Sequence, residues 1–279
     1  MHEGDFFTRH SIRPKEGDQE SPDFEGVSEK GVELAKQRAR EILESLEQSE
    51  NGTIMFIGGT SEIVRTKSTA VIYGNEMRNI VSEQKRDDVL VFVPEDLENI
   101  EGYSNKVDYL VKQITANPEK KIIIDFPLFI KEFSFVGDFT TEEGKWTQYT
   151  REMLKRSGGD SERFLKDWLD NQGVIGDLEG PNPKEIAEKQ LAGLNRLREF
   201  VEKYISGRPL IIGSVGHSWS LDALAVYLAN KGEVTAEAFD KMKAKMIGDT
   251  EMIKLTQKDG KQVLQYGELF IPLEEELKL

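Results

Sequence analysis

Phe6-Phe7-Thr8-Arg9-His10-Ser11-Ile12-Arg13-Pro14 is the stretch from which the rest of this chain is read. An apolar pair leads in, as a short buried strand does, and a proline closes the run by removing a backbone donor. Between them two arginines flank a histidine. The chain has only three histidines. His2 lies at the terminus, while His10 and His217 each follow an apolar run; for His217 it is Pro209-Leu210-Ile211-Ile212-Gly213-Ser214-Val215. A further arginine, Arg65, stands in Thr60-Ser61-Glu62-Ile63-Val64-Arg65-Thr66, just after the apolar run Thr53-Ile54-Met55-Phe56-Ile57. Open α/β sheets place ligand sites at their strand ends. Arginine holds phosphate in a two-pronged fork, and a neutral imidazole can attack phosphorus. Histidine and arginine gathered at such ends suit an anion with a nucleophile beside it.

Working outward, strands and helices alternate. Apolar spacing predicts a helix from Ser28 through Leu46, stopped by Asn51-Gly52. A helix is expected to open at Arg65, where backbone N–H groups add to anion binding. Strands are expected at Asp88–Val93 and Lys121–Phe126, with a helix from about Asn105 between them. Pro183 opens a long helix to Tyr204, another follows His217, and Thr235 caps a shorter one. The end reads as a hairpin, residues 251–256 and 262–266, turning at Lys258-Asp259-Gly260. The expected fold is α/β, a three-layer, mostly parallel sheet with helices on both faces and an antiparallel edge. One domain is expected over residues 1–279. Residues 103–182 are read as an inserted cap over the site, rich in aromatic residues and carrying the basic cluster Arg151, Lys155 and Arg156.

Bulk properties narrow the chemistry. A net charge of −14 argues against nucleic acid and anionic membranes as main partners, so a phosphate site must be a local positive pocket. The chain has no cysteine, which excludes disulfides, thiolate catalysis and cysteine metal sites. No apolar run has the length to span a bilayer, and the start lacks a signal-peptide pattern, so a cytoplasmic protein is expected. No metal and no cofactor are expected: no carboxylate and histidine cluster shows ligand spacing, and the arginines would repel a cation.

These motifs resemble those of the histidine phosphatase superfamily, on its phosphoglycerate mutase-like side. The family's strand followed by Arg-His-Gly appears as Arg9-His10-Ser11. Its Ser-Pro-Leu-x-Arg-Thr appears as Ser61-Glu62-Ile63-Val64-Arg65-Thr66, followed by Thr69-Ala70. Its first helix opening appears as Val27-Ser28-Glu29-Lys30-Gly31-Val32-Glu33-Leu34-Ala35, and its closing strand as Val215-Gly216-His217-Ser218. The four occur in the family's order over residues 5–102 and 184–267. The resemblance implies a phosphohistidine formed on His10, with Arg9, Arg65 and His217 around the phosphoryl oxygens. Arg13 completes the Arg-His-x-x-Arg pattern of the acid phosphatase branch.

That branch has an Asp after its second histidine, where this chain has Ser218. The mutase branch takes its acid from a Leu-x-Glu-x-x-x-Gly loop, read here as Leu97-Glu98-Asn99-Ile100-Glu101-Gly102. This implies Glu98, with Glu95 and Glu101 as alternatives. The departures are Ser11 for glycine, Ile12 for the common acidic residue, and a loop one residue short after Leu97. The resulting expectation is a metal-independent phosphomonoesterase acting on a small phosphorylated compound. The alternatives are a phosphoglycerate-type mutase and a silent relative that binds phosphorylated ligands or proteins. Substrate and oligomeric state stay open.

Overall fold

A computed structural model of the chain describes residues 4–59, 63–125, 131–133, 139–141, 143–205, 207–258 and 261–273. Thr60-Ser61-Glu62 before Arg65 and the expected hairpin turn at Asp259-Gly260 lie outside these residues. Five strands run parallel: β1 (Asp5–Arg9), β2 (Ile54–Gly59), β3 (Val89–Phe92), β4 (Lys121–Asp125) and β7 (Leu210–Gly216). The two-residue strands β5 (Val174–Ile175) and β6 (Leu178–Glu179) form a separate small hairpin. Antiparallel β8 (Met252–Lys258), β9 (Lys261–Tyr266) and β10 (Leu269–Pro272) extend the main sheet beyond β1. The order across the main sheet is β10-β9-β8-β1-β7-β2-β4-β3. The mixed α/β sheet with an antiparallel edge is as expected; β10 is an addition.

Side chains alternate across the pleat and build two cores. Phe6, Met55, Ile57, Ile123 and Ile211 face α1 (Glu29–Glu47) and α2 (Val64–Glu83). Phe7, Phe56, Ile122, Ile124 and Ile212 share the opposite core with α3 (Tyr103–Ala116), α6 (Pro183–Tyr204) and α7 (Ser218–Ala229). Parallel strands buried on both faces read as unbroken apolar runs, and Lys121–Asp125 is buried at every position. It inserts between β2 and β3. The insertion expected over 103–182 is therefore corrected. Its first part, α3 and β4, belongs to the main sheet. The remainder supplies α4 (Gln148–Ser157), α5 (Ser161–Asn171) and the β5–β6 hairpin. These join the α7 core, where Phe164 stacks on Trp219 with ring centroids 3.9 Å apart. The buried Trp168 Nε1 donates to Pro181 O at 2.6 Å. The short α8 (Ala236–Lys241) packs on α5.

β4 ends on Asp125, which is buried against α2. A side chain at Gly74 would meet its Oδ2 at 2.7 Å, so only glycine fits there. Burial, and then the charge of Glu95, pushes the Asp125 carboxyl up to about 8. Unfolded, the group titrates near 3.8, so from there to about 8 the native state holds the extra proton. Stability from this group is present at low pH and lost as pH rises through the folded value. Wild type should lose about 1.4 kcal/mol between pH 7 and 9. Asp125→Asn, which mimics the neutral acid, should remove that loss in urea melts at the two pH values. A pH-dependent loss of the same size in Asp125→Asn would place its origin elsewhere.

Candidate active site

The C-terminal ends of β1 and β7 lie side by side, with Arg9 paired to Gly216. His10 N–H donates to Gly216 O at 3.0 Å and continues this pairing, so both imidazoles emerge at one edge. Their ring centroids are 5.1 Å apart. Both rings are buried, His10 at 6% and His217 at 5% exposure.

The His10 ring is oriented from both sides. Nδ1 lies 2.7 Å from Ser11 O, a carbonyl that can only accept, which puts the proton on Nδ1. The Nε2 lone pair then accepts from Arg65 Nε at 3.0 Å. The loop behind is fixed in turn. Ser11 N–H donates to Thr69 Oγ1 at 3.1 Å, and Thr69 Oγ1 donates to Arg65 O at 2.7 Å, so one threonine ties the His10 loop to the Arg65 turn. Ser11, which stands where the resemblance has glycine, donates from its hydroxyl to Gly31 O at 2.6 Å. At Gly31 a Cβ would lie 2.6 Å from Ile12 O, so α1 approaches the post-histidine backbone only because that residue is glycine.

Charge sets the protonation states. Burial, then Arg65, lowers His10 to about 3, with Arg9 and Arg13 adding to the effect. His217 lies well below its usual range because of burial, then His10, Arg65 and Arg9. Both rings are thus neutral at physiological pH, as a nitrogen nucleophile must be. Arg65 is itself lowered by burial and by the facing charges of Arg13 and Arg9. Three guanidiniums held so close repel one another, and an anion between them relieves that repulsion.

The helices that carry Arg65 and His217 begin without a side-chain cap, from Ile63 and His217. Five others, α1, α4, α5, α6 and α8, are capped by Ser28, Thr147, Asp160, Asn182 and Thr235. An uncapped start directs the helix dipole at whatever lies in front of it, and negative charge is favoured there.

The structure brings together His10, His217, Arg9 and Arg65. Arg13 is exposed, but its charge reaches both His10 and Arg65. Nothing bonds Glu98 to them among the described residues. The Glu98 side chain is exposed beyond a 3-10 turn, Pro94–Leu97, and its carboxylate forms no hydrogen bond or ion pair among the described residues. With β4 inserted, β3 is the outermost strand of the main sheet, four places from β1. Glu101 is likewise exposed. Glu95, also exposed, borders an open groove with Lys67, Ser68 and Asn75 of α2, the helix that carries Arg65. Two groups went unread in the sequence. Thr69 was seen only as part of a motif. Asp249, in a loop with no periodic signal, pairs with Arg9 Nη2 at 3.1 Å. Among the described residues no helix is long and apolar enough to cross a membrane.

No family model matches the chain, and no curated protein matches it. Solved structures similar to it include a mycobacterial glucosyl-3-phosphoglycerate phosphatase complexed with VO3, at 14% identity and TM-score 0.49, covering 94% of this chain and 97% of that one. Another is a putative alpha-ribazole-5'-P phosphatase from Escherichia coli, at 12% identity and TM-score 0.45, covering 98% and 97%. A third is a phosphoglycerate mutase from Plasmodium falciparum, at 12% identity and TM-score 0.32, covering 97% of each chain.

Proposed function

We propose that this chain is a histidine phosphatase: a metal-independent phosphomonoesterase that works through a phosphohistidine on a small phosphorylated compound. One observation carries the reading. The His10 ring has its proton fixed on Nδ1 by Ser11 O, so its Nε2 lone pair faces Arg65 beside a second neutral imidazole. The motif order over β1, α1, α2 and β7 supports it.

In this reading the phosphoryl oxygens take over the Arg65 donor and free the lone pair. Nε2 bonds to phosphorus as the ester P–O bond breaks, and the leaving oxygen takes a proton from a carboxylic acid. Arg65, Arg9 and Arg13, with His217, hold the charge that spreads over the equatorial oxygens. Water then attacks phosphorus, the N–P bond breaks, and the same carboxylate accepts the water's proton. Of the three loop carboxylates, Glu95 borders the helix that carries Arg65, so it takes the acid role ahead of Glu98 and Glu101.

The test is a rapid quench with an aryl phosphate in EDTA, the chain kept alkaline because the N–P bond is acid-labile. A phosphoryl adduct on His10, turnover slowed ~100-fold or more in Glu95→Gln and unchanged in Glu98→Gln, is the expected result. A second reading keeps the anion site without turnover. It is favoured by the fact that no carboxylate among the described residues is bonded to His10. Phosphate binding with no adduct over a broad panel of monoesters would select it.

A further inference from the structure

We infer that the loop Ile247-Gly248-Asp249-Thr250 is a clamp that fixes the Arg9 guanidinium at the site edge, with Asp249 as its positioning residue. Arg9 is held at both ends of its fork. Nη1 donates to Ile247 O at 2.9 Å, and Nη2 pairs with Asp249 Oδ1 at 3.1 Å. The backbones are tied as well: Arg9 N–H donates to Glu251 O at 3.1 Å, and Thr250 N–H donates to Arg9 O at 3.2 Å.

The loop is itself anchored from the protein interior. Asp222 Oδ1, on the fully buried face of α7, accepts from Ile247 N–H at 3.0 Å and also from the Tyr266 hydroxyl. Glu251 Oε2 accepts from Gly248 N–H at 2.6 Å, and Thr8 Oγ1 donates to Thr250 O at 3.2 Å. An exposed ion pair on an unanchored loop would contribute little. This one stands on a buried frame that runs from the His217 helix to the β9 strand.

The backbone gives independent support. Thr250 has φ +58°, a left-handed conformation that a β-branched residue adopts only under strain. It is 1% exposed, and its hydroxyl, like Arg9 Nε, is buried with no partner among the described residues. Gly248, two residues earlier, does not take the left-handed conformation. The loop thus bends at the costly residue, and the bend sets Asp249 against Arg9. Strain of this kind persists where the surroundings over-determine it, and such places cluster at functional sites.

The clamp bears on substrate class. The charge of Asp249 also reaches Arg65. Counted against the three guanidiniums, it leaves the site two positive charges in excess, the complement of a phosphomonoester dianion. This charge argument rests on the phosphatase reading, whereas the clamp itself does not.

The test uses the full chain and three variants, Asp249→Ala, Asp249→Asn and Thr250→Gly. Two readouts are taken: hydrogen exchange at the Arg9 Nε–H resonance, assigned with Arg9→Lys, and the affinity for inorganic phosphate by calorimetry. Asp249→Ala should exchange Arg9 Nε–H at least ~10-fold faster and bind phosphate ~10-fold more weakly. Asp249→Asn keeps an acceptor oxygen and should recover most of the slow exchange. Thr250→Gly should weaken phosphate binding without lowering the thermal midpoint, because strain is released as aim is lost. Unchanged Arg9 exchange in Asp249→Ala would overturn the clamp, as would phosphate binding as tight as wild type or tighter. Should Asp249→Ala not fold, the same two readouts on the other variants decide. A wild type that binds no phosphate would sink the phosphatase reading, and the exchange measurement would still decide the clamp.

Discussion

His10→Asn should lose turnover by on the order of 10⁵-fold and should carry no phosphoryl adduct, while its melting curve stays close to wild type. Asparagine is smaller than the ring, but its amide can still donate to Ser11 O as Nδ1–H does, so the loop stays tied. What the substitution removes is Nε2, the nitrogen whose lone pair meets Arg65 while Ser11 O holds the proton on Nδ1. The pH dependence sharpens the expectation. The His10 pKa is lowered to about 3, so wild-type kcat/KM should show no acid limb from this residue near 6.5. In stability the sign is separate. The unfolded chain binds a proton on His10 from about 6.5 downward while the native one does not until about 3, so acid costs stability across that window. A His10→Asn variant that still turned over and still carried an adduct would place the nucleophile elsewhere.

Much of the site was legible because its parts are local. Apolar runs that end in His10, His217 and the turn before Arg65 mark parallel strands by composition alone. Ser28 marks a helix start by the capping rule. The place of β4 was not legible in the same way. Lys121–Asp125 reads plainly as a strand, but strand order is a non-local pairing choice, and nothing in the run states that its neighbours are β2 and β3. That one insertion moved β3 to the edge of the sheet. The Arg9 clamp was hidden for a different reason. In Ile247-Gly248-Asp249-Thr250 the rules assign any left-handed residue to the glycine, and the chain places it on Thr250 instead. Local rules fail where buried anchors such as Asp222 override them, and here that failure lies against a site arginine.

Arg65 is the second position where a large effect is expected. Arg65→Ala should lower kcat/KM by ~10³-fold, within the range that a single transition-state arginine supplies in phosphoryl transfer. Arg65→Lys should recover only part of this. Lysine restores the charge, but not the planar fork that reaches His10 through Nε and has further donors for phosphoryl oxygens. A purely electrostatic role would let lysine recover nearly all of it. The alanine variant also changes the pH profile in a direction the geometry fixes. Arg65 is the second-largest cause, after burial, of the depressed His10 pKa. With that charge removed, the imidazolium is less disfavoured and the His10 pKa rises. Arg65→Ala should therefore gain an acid limb, with kcat/KM falling as pH drops, at a pH where wild type shows no protonation of His10. On the proposed mechanism the loss in rate and the new limb have one origin, because the same guanidinium keeps His10 neutral in the empty site and would hold phosphoryl oxygens in the filled one. A thousandfold slower Arg65→Ala with a wild-type pH profile would separate the two roles and leave Arg65 a phosphate ligand alone.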